Sequence, residues 1–150
     1  MKEYFSEESL ERGGILVMGT KYIDLHLHLD GAITAEAAME LAKVQRISLP
    51  AKTEEELEKL ISVPEGCESL NDFLRCFELP LSLLQTKEGI RRAVRLVLEE
   101  QKREGVIYAE IRFSPQLHTR KGLSQEEVLR AALEGLQDAP IPANLILACM

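Results

Sequence analysis

The stretch YIDLHLHLDG, residues 22–31, alternates apolar and polar side chains and then closes on an aspartate and a glycine. Side chains two apart on a strand share a face, so Tyr22, Asp24, His26, His28 and Asp30 fall on one side, and Ile23, Leu25, Leu27 and Leu29 on the other. The apolar side needs a helix layer. The polar side is unlike ordinary core, because imidazoles and carboxylates buried there would lack partners. Neutral imidazoles at i and i+2 can converge on one divalent ion, with Zn–N bonds of roughly 2.0–2.1 Å, while nearby carboxylates orient or supplement them. Two such ligands make half a site, since a catalytic zinc usually takes three protein ligands and a water. Taken alone, H-x-H favours a solvated edge strand over a ligand pair, so the decision rests on the rest of the chain.

Val106 to Phe113 repeats the division: Ile107, Ala109, Ile111 and Phe113 share one face, Tyr108, Glu110, Arg112 and Ser114 the other. Asn144 to Met150 reads as a third strand. Between the first two strands the three- and four-residue spacing of apolar side chains predicts helices from Thr34 to about Arg46, from Thr53 to Ile61 with Thr53 and Glu56 as a capping box, and from Leu70 to a stop near Pro80. A longer helix follows from Thr86 to Glu104, with Gly105 placed for a left-handed cap, and Ser124 with Glu127 opens another through about Leu136. Strand, helices, strand, helix, strand is the rhythm of a parallel α/β fold with right-handed crossovers. The first crossover, Gly31 to Gly105, is far longer than one helix requires, so its surplus helices are expected over one end of the sheet, where they can roof a pocket. Polar inner and apolar outer strand faces point to a (β/α) barrel, whose chemistry gathers at the C-terminal strand ends, where His26, His28 and Asp30 fall.

The chain has 150 residues, 45% hydrophobic and 29% charged, the make-up of a soluble globular domain. A net charge of -7 and a pI near 5.1 argue against a nucleic-acid partner and for a small molecule or protein. The polar, acidic start lacks the basic and apolar regions of a signal peptide, and no apolar run approaches the ~18 residues of a membrane span, so a cytoplasmic chain with no membrane partner is expected. Residues 1–20 read as an N-terminal arm and 21–150 as the folded portion. Cys67, Cys76 and Cys149 form no C-x-x-C pair and leave an odd count, which fits reduced structural thiols, Cys149 packing on the third strand.

The string HLHLDGAIT from His26 to Thr34, followed by YAEIRFSPQLHTRKGLS from Tyr108 to Ser124, resembles the N-terminal portion of a metal-dependent adenosine deaminase of the amidohydrolase superfamily. The likeness runs from about Tyr22 to Met150, and it implies the N-terminal part of a (β/α)8 TIM barrel with about three of eight strands and extra helices between strands one and two. It implies that His26 and His28 are two ligands of one Zn2+ per complete site, and that His28 and Asp30 lie beside the sugar of a purine nucleoside. It also places Leu70, Phe73, Leu74 and Phe77 over the purine, whereas their periodicity alone favours plain core; the two roles are compatible. By parity Glu110 and Arg112 face the barrel interior as a buried structural pair, and His118 is a loop histidine expected to be solvated rather than a ligand.

The chemistry the family implies is hydrolysis of a C–N bond in a cyclic amidine, as in purine salvage: a zinc-activated water attacks C6 of adenosine or deoxyadenosine, a glutamate protonates the ring, and ammonia leaves. The family's third zinc histidine, its H-A-G-E glutamate, a last histidine and a paired-aspartate motif are all missing from the sequence, so no catalytic acid is present and that glutamate is expected beyond Met150. By itself the chain is expected to be inactive, needing a remaining barrel half or self-association. Other readings stay open on sequence alone: an adenine deaminase, a phosphoesterase of the polymerase-and-histidinol-phosphatase type that also opens with D-x-H-x-H, or a non-catalytic interaction module.

Overall fold

The computed structural model describes residues 21–149; the expected arm at 1–20 and Met150 lie outside the described residues. One parallel sheet runs in the order β1 (Tyr22–His28), β2 (Val106–Phe113) and β3 (Ala143–Leu147). Helices α1 (Ala35–Gln45), α2 (Glu54–Ile61), α3 (Leu70–Arg75), α4 (Glu78–Leu83) and α5 (Lys87–Arg103) fill the first crossover. A 3-10 turn at Pro115–His118 and α6 (Gln125–Gln137) fill the second.

The helix starts follow their caps. The hydroxyls of Thr34, Thr53, Thr86 and Ser124 accept from the backbone N–H of Ala37, Glu56, Gly89 and Glu127, satisfying donors that the first helical turn leaves free. At Ser124 the box is complete, because the Glu127 carboxylate accepts from the Ser124 backbone. Glu56 instead accepts from the Lys52 backbone, one residue before its cap. Lys87 donates to Glu127 across 2.8 Å, joining the first turns of α5 and α6; that bond and those to Ser124 hold the Glu127 carboxyl down to about 2. Ser124→Ala is expected to cost about 1 kcal/mol in urea unfolding, and Ser124→Gly only a few tenths of that unit. Gly105, at φ 90°, ends α5 in the left-handed region as expected.

Pro80 does not end a helix. It is the third residue of α4, where the missing N–H would have no intrahelical acceptor, so the chain re-enters helix at Glu78.

The core lies on one side of the sheet, between β2 and a layer of α1, α5 and α6, with Leu41, Ile90, Leu98, Ile111 and Val128 fully enclosed. Leu83 and Leu84 at the end of α4 join it, and one amide ties that corner together. Gln45 Nε2 donates to the carbonyls of Leu41 and Leu83, and Thr86 Oγ1 donates to Gln45 Oε1.

Strict alternation fails in two places. Asp24 pairs with Ala109 and Leu27 with Ile111, so β1 carries one extra residue at Leu25–His26, and Asp24 Oδ1 accepts from the His26 N–H at 2.9 Å. On β2 the extra residue is Ile107, between the pairs Tyr22–Val106 and Ile23–Tyr108. Ile107 is therefore 45% exposed and Val106 takes the buried position, reversing the expected parity there. The helix layer expected behind β1 covers only Leu27 and Leu29: Ile23 and Leu25 remain 61% and 58% exposed, because β1 is the edge of the described sheet and the core reaches only its C-terminal end. Cys149 lies past the last residue of β3 and is exposed, against the expected packing role, while Cys76 is buried.

Candidate metal and substrate site

His26 is the second residue of the bulge on β1 and His28 follows in regular register with Arg112, yet both rings take one side. Their Nε2 atoms are 3.3 Å apart, with ring centroids 5.2 Å apart and planes inclined by 36°. Two nitrogens bound at roughly 2.05 Å to a tetrahedral ion lie about 3.3 Å apart, so spacing and donor type both fit a zinc-like ion. Among the described residues no group of three or more His, Cys, Asp or Glu side chains comes together to hold an ion.

Asp30 is half-buried in the turn that follows, its Oδ1 accepting from the Gly31 N–H at 3.0 Å. A Cβ at Gly31 would meet the Phe77 ring at 3.3 Å, so that ring lies against the turn. Phe73 lies beside it, with ring centroids 5.3 Å apart and planes inclined by 59°. Both rings, with His28, Gly31 and Ile61, line an open groove of about 730 Å³, and with Asp30 and Gly31 a smaller one of about 200 Å³. Leu70 and Leu74 line neither and are 71% and 51% exposed. The whole stripe is thus not core: α3 buries no residue, since no layer lies beneath it, and only its aromatic members reach the histidine end of β1.

Glu110 and Arg112 are half-buried and form no ion pair with each other, contrary to the expected buried pair. Glu110 accepts from the Tyr108 hydroxyl at 3.1 Å, which in turn accepts from Asn144 Nδ2 at 2.8 Å. Arg112 pairs in register with His28, and its Nη1 lies 2.9 Å from His26 Nε2. Sequence parity put these groups on one face but gave no sign of that contact, which depends on the register of the strands.

His118 is not solvated. It is buried beside Phe113, with Nδ1 3.0 Å from the Leu84 carbonyl oxygen, a contact that makes Nδ1 the donor. Burial pushes the imidazole below its ordinary range, against the opposing pull of the Leu84 carbonyl and of Asp30; Arg120 acts with burial. Gln85, equally unforeseen, donates to the carbonyls of Leu81 and Leu117 and accepts from the Arg120 N–H. Together they fasten the loop after β2 to the α4–α5 corner. Gln85 is signalled only as a polar residue after Leu83 and Leu84, and His118, among Gln116, Thr119, Arg120 and Lys121, carries no such signal. Because the folded state disfavours protonated His118, unfolding takes up a proton as pH falls below about 6.5, and stability is lost through that window and down to the folded value. Melting temperature is expected to drop on that acid limb, and less steeply in His118→Gln.

The family model for adenosine deaminase matches residues 22–150. The chain belongs to the adenosine deaminase family. An adenosine deaminase of Haemophilus ducreyi is 51% identical over 133 residues, a stretch that is 85% of this chain and 39% of that relative. Among solved structures, an adenine deaminase from Arthrobacter aurescens superposes with a TM-score of 0.68 at 29% identity, over 83% of this chain and 38% of its own. The N6-methyl-AMP deaminase of Arabidopsis thaliana gives 0.64 at 25%, over 87% and 40%. The chain thus spans about 40% of the length of the relatives it matches, and its sheet is the N-terminal part of their (β/α)8 barrel. No helix among the described residues is long and apolar enough to cross a membrane.

Proposed function

We propose that this segment supplies the first half of a deaminase site that hydrolyses the 6-amino group of adenosine or deoxyadenosine, giving the 6-oxo nucleoside and ammonia, in purine salvage. The observation that carries it is the 3.3 Å separation of His26 Nε2 and His28 Nε2 at the end of β1, in a chain of this family. Both imidazoles would hold the ion through Nε2, and zinc when bound supplies Lewis acidity that makes water a nucleophile near neutral pH. Asp24 holds the bulge that presents His26. His28 lines the larger groove and Asp30 the smaller one, where they would meet the sugar, and Phe73 with Phe77, which line both, presents ring surface on which a flat purine can stack. The proton donor and the remaining ligands come from the rest of a barrel, in the same chain or a second one, and the 150 residues alone release no ammonia.

The experiment is a chimera in which residues 22–150 replace the matching part of the Haemophilus ducreyi relative. Ammonia release from adenosine by the zinc-loaded chimera supports the proposal, and a folded, zinc-loaded chimera without it refutes it. A free-base substrate is the second reading, favoured by the likeness to an adenine deaminase. Asp30→Asn separates the two: with a nucleoside substrate KM should rise on the order of tenfold, the loss of one hydrogen bond to a charged group, whereas turnover of adenine would not depend on it.

A further inference from the structure

The two grooves beyond the end of β1 adjoin, since Gly31, Ile33, Ile61, Phe73 and Phe77 line both. What the smaller one adds is mostly apolar. Val63, Cys76 and Pro80 complete it, and Asp30 is the one charged group among its lining residues. Ile33, Cys76 and Pro80 are buried, so enclosed apolar side chains make its inner wall, while Val63 is 49% exposed. The Cys76 thiol donates to the Ser62 carbonyl at 3.1 Å and has no second proton to offer a ligand. Neither groove has a lysine or arginine among its lining residues, and the larger carries Glu58, Glu100 and Glu104. An anionic group would meet carboxylates there with no cation to offset them, and a strongly polar neutral group would give up water for walls that cannot replace its hydrogen bonds. The volume of about 200 Å³ is several times the ~30 Å³ share of one water in the liquid, which is room for a few heavy atoms.

We propose that the smaller groove is a subsite for a compact, uncharged apolar group on the sugar of a purine nucleoside, a thioether or short alkyl chain in place of the primary hydroxyl. The inference rests on the reading that the larger groove takes the purine and that Asp30 meets the sugar. With the base on the faces of Phe73 and Phe77, which line both grooves, the exocyclic 5′ carbon is the arm of the sugar that can reach into the smaller one. Asp30 spends Oδ1 on the Gly31 N–H and keeps lone pairs for a remaining ring hydroxyl. The substrate class is thereby widened on one side and narrowed on the other: sulfur- or carbon-substituted nucleosides enter, and nucleotides, which carry a phosphate at that position, do not.

The test titrates the 150-residue chain, with isoleucine and valine methyl groups labelled, with adenosine, its 5′-methylthio and 5′-propylthio analogues, and adenosine 5′-monophosphate. The S-methyl protons should show nuclear Overhauser contacts to Ile61 and Val63, and affinity should rise about threefold for each added methylene, on the order of tenfold from methylthio to propylthio. The monophosphate should bind on the order of tenfold more weakly than adenosine. Val63→Phe, which fills the groove from its exposed side, should abolish the rise along the series. Should that variant not fold, Val63→Ala should extend the rise to a longer chain. Missing S-methyl contacts, an affinity that stays flat along the series in the wild type, or a rise that survives Val63→Phe overturns the subsite, and a monophosphate that binds as well as adenosine overturns the requirement for an uncharged group. Adenosine that perturbs Ile61 while the thioether series stays flat overturns the subsite alone. Adenosine that perturbs neither groove counts against the nucleoside reading itself and removes the subsite with it.

Discussion

Alanine at either His26 or His28 in the chimera is expected to cut ammonia release from adenosine by on the order of 10³-fold or more, together with loss of bound zinc. The magnitude follows from what an ion contributes: several kcal/mol of transition-state stabilisation, at about 1.4 kcal/mol per tenfold in rate. The two Nε2 atoms stand 3.3 Å apart on one strand face, so losing either leaves the other without its neighbour. In the 150-residue chain both rings are exposed, so there the substitutions remove little packing and folding of that chain should be unaffected. A contrasting variant is Asp24→Ala. It removes the acceptor of the His26 backbone N–H at 2.9 Å and should weaken zinc binding without abolishing it, because the ligands remain but the bulge presenting them loosens. Zinc content and kcat, measured on the same preparations, separate the two outcomes.

The second large effect is on stability, at a position where the usual rule reverses. Gly135 lies within α6, where glycine normally costs up to about 1 kcal/mol relative to alanine. A Cβ there would meet the Arg91 carbonyl oxygen at 2.6 Å and Val94 Cβ at 2.8 Å, both on α5. Neither is the far end of a flexible side chain, so the helices would have to separate. Gly135→Ala is expected to destabilise the chain by about 1–3 kcal/mol, measured as a lowered urea midpoint with unchanged slope. A gain in stability would show that α5 and α6 are not in such close contact.

These contrasts mark what the sequence makes legible. The Ser and Thr caps, Gly105 and the long amphipathic α5 are local signals, decided within a few residues, and the structure follows them. The strand parity was legible only in part. A bulge depends on the register with a neighbouring strand, and nothing in YIDLHLH says that Leu25 and His26 face one residue of β2. The exposure of Ile23 and Leu25 is of the same kind, since alternation tells which side chains share a face but not how far a covering layer extends. At the site, the pair His26 and His28 was visible because its spacing is two, and Phe73 and Phe77 because theirs is four. Leu70 and Leu74 share that helical spacing yet fall outside the groove, which is a matter of how a six-residue helix sits on its neighbours. His118 reads as solvated from its neighbours in sequence for the same reason: its acceptor, the Leu84 carbonyl, is 34 residues away.

The central claim is that His26 and His28 bind one ion through Nε2 on behalf of a deaminase site. Anomalous diffraction at the zinc absorption edge, from crystals of the zinc-loaded chimera, tests it most directly. The predicted result is a single peak within about 2.1 Å of both Nε2 atoms. A peak bound elsewhere, or none at β1 in crystals of a folded protein that contains zinc, would contradict it.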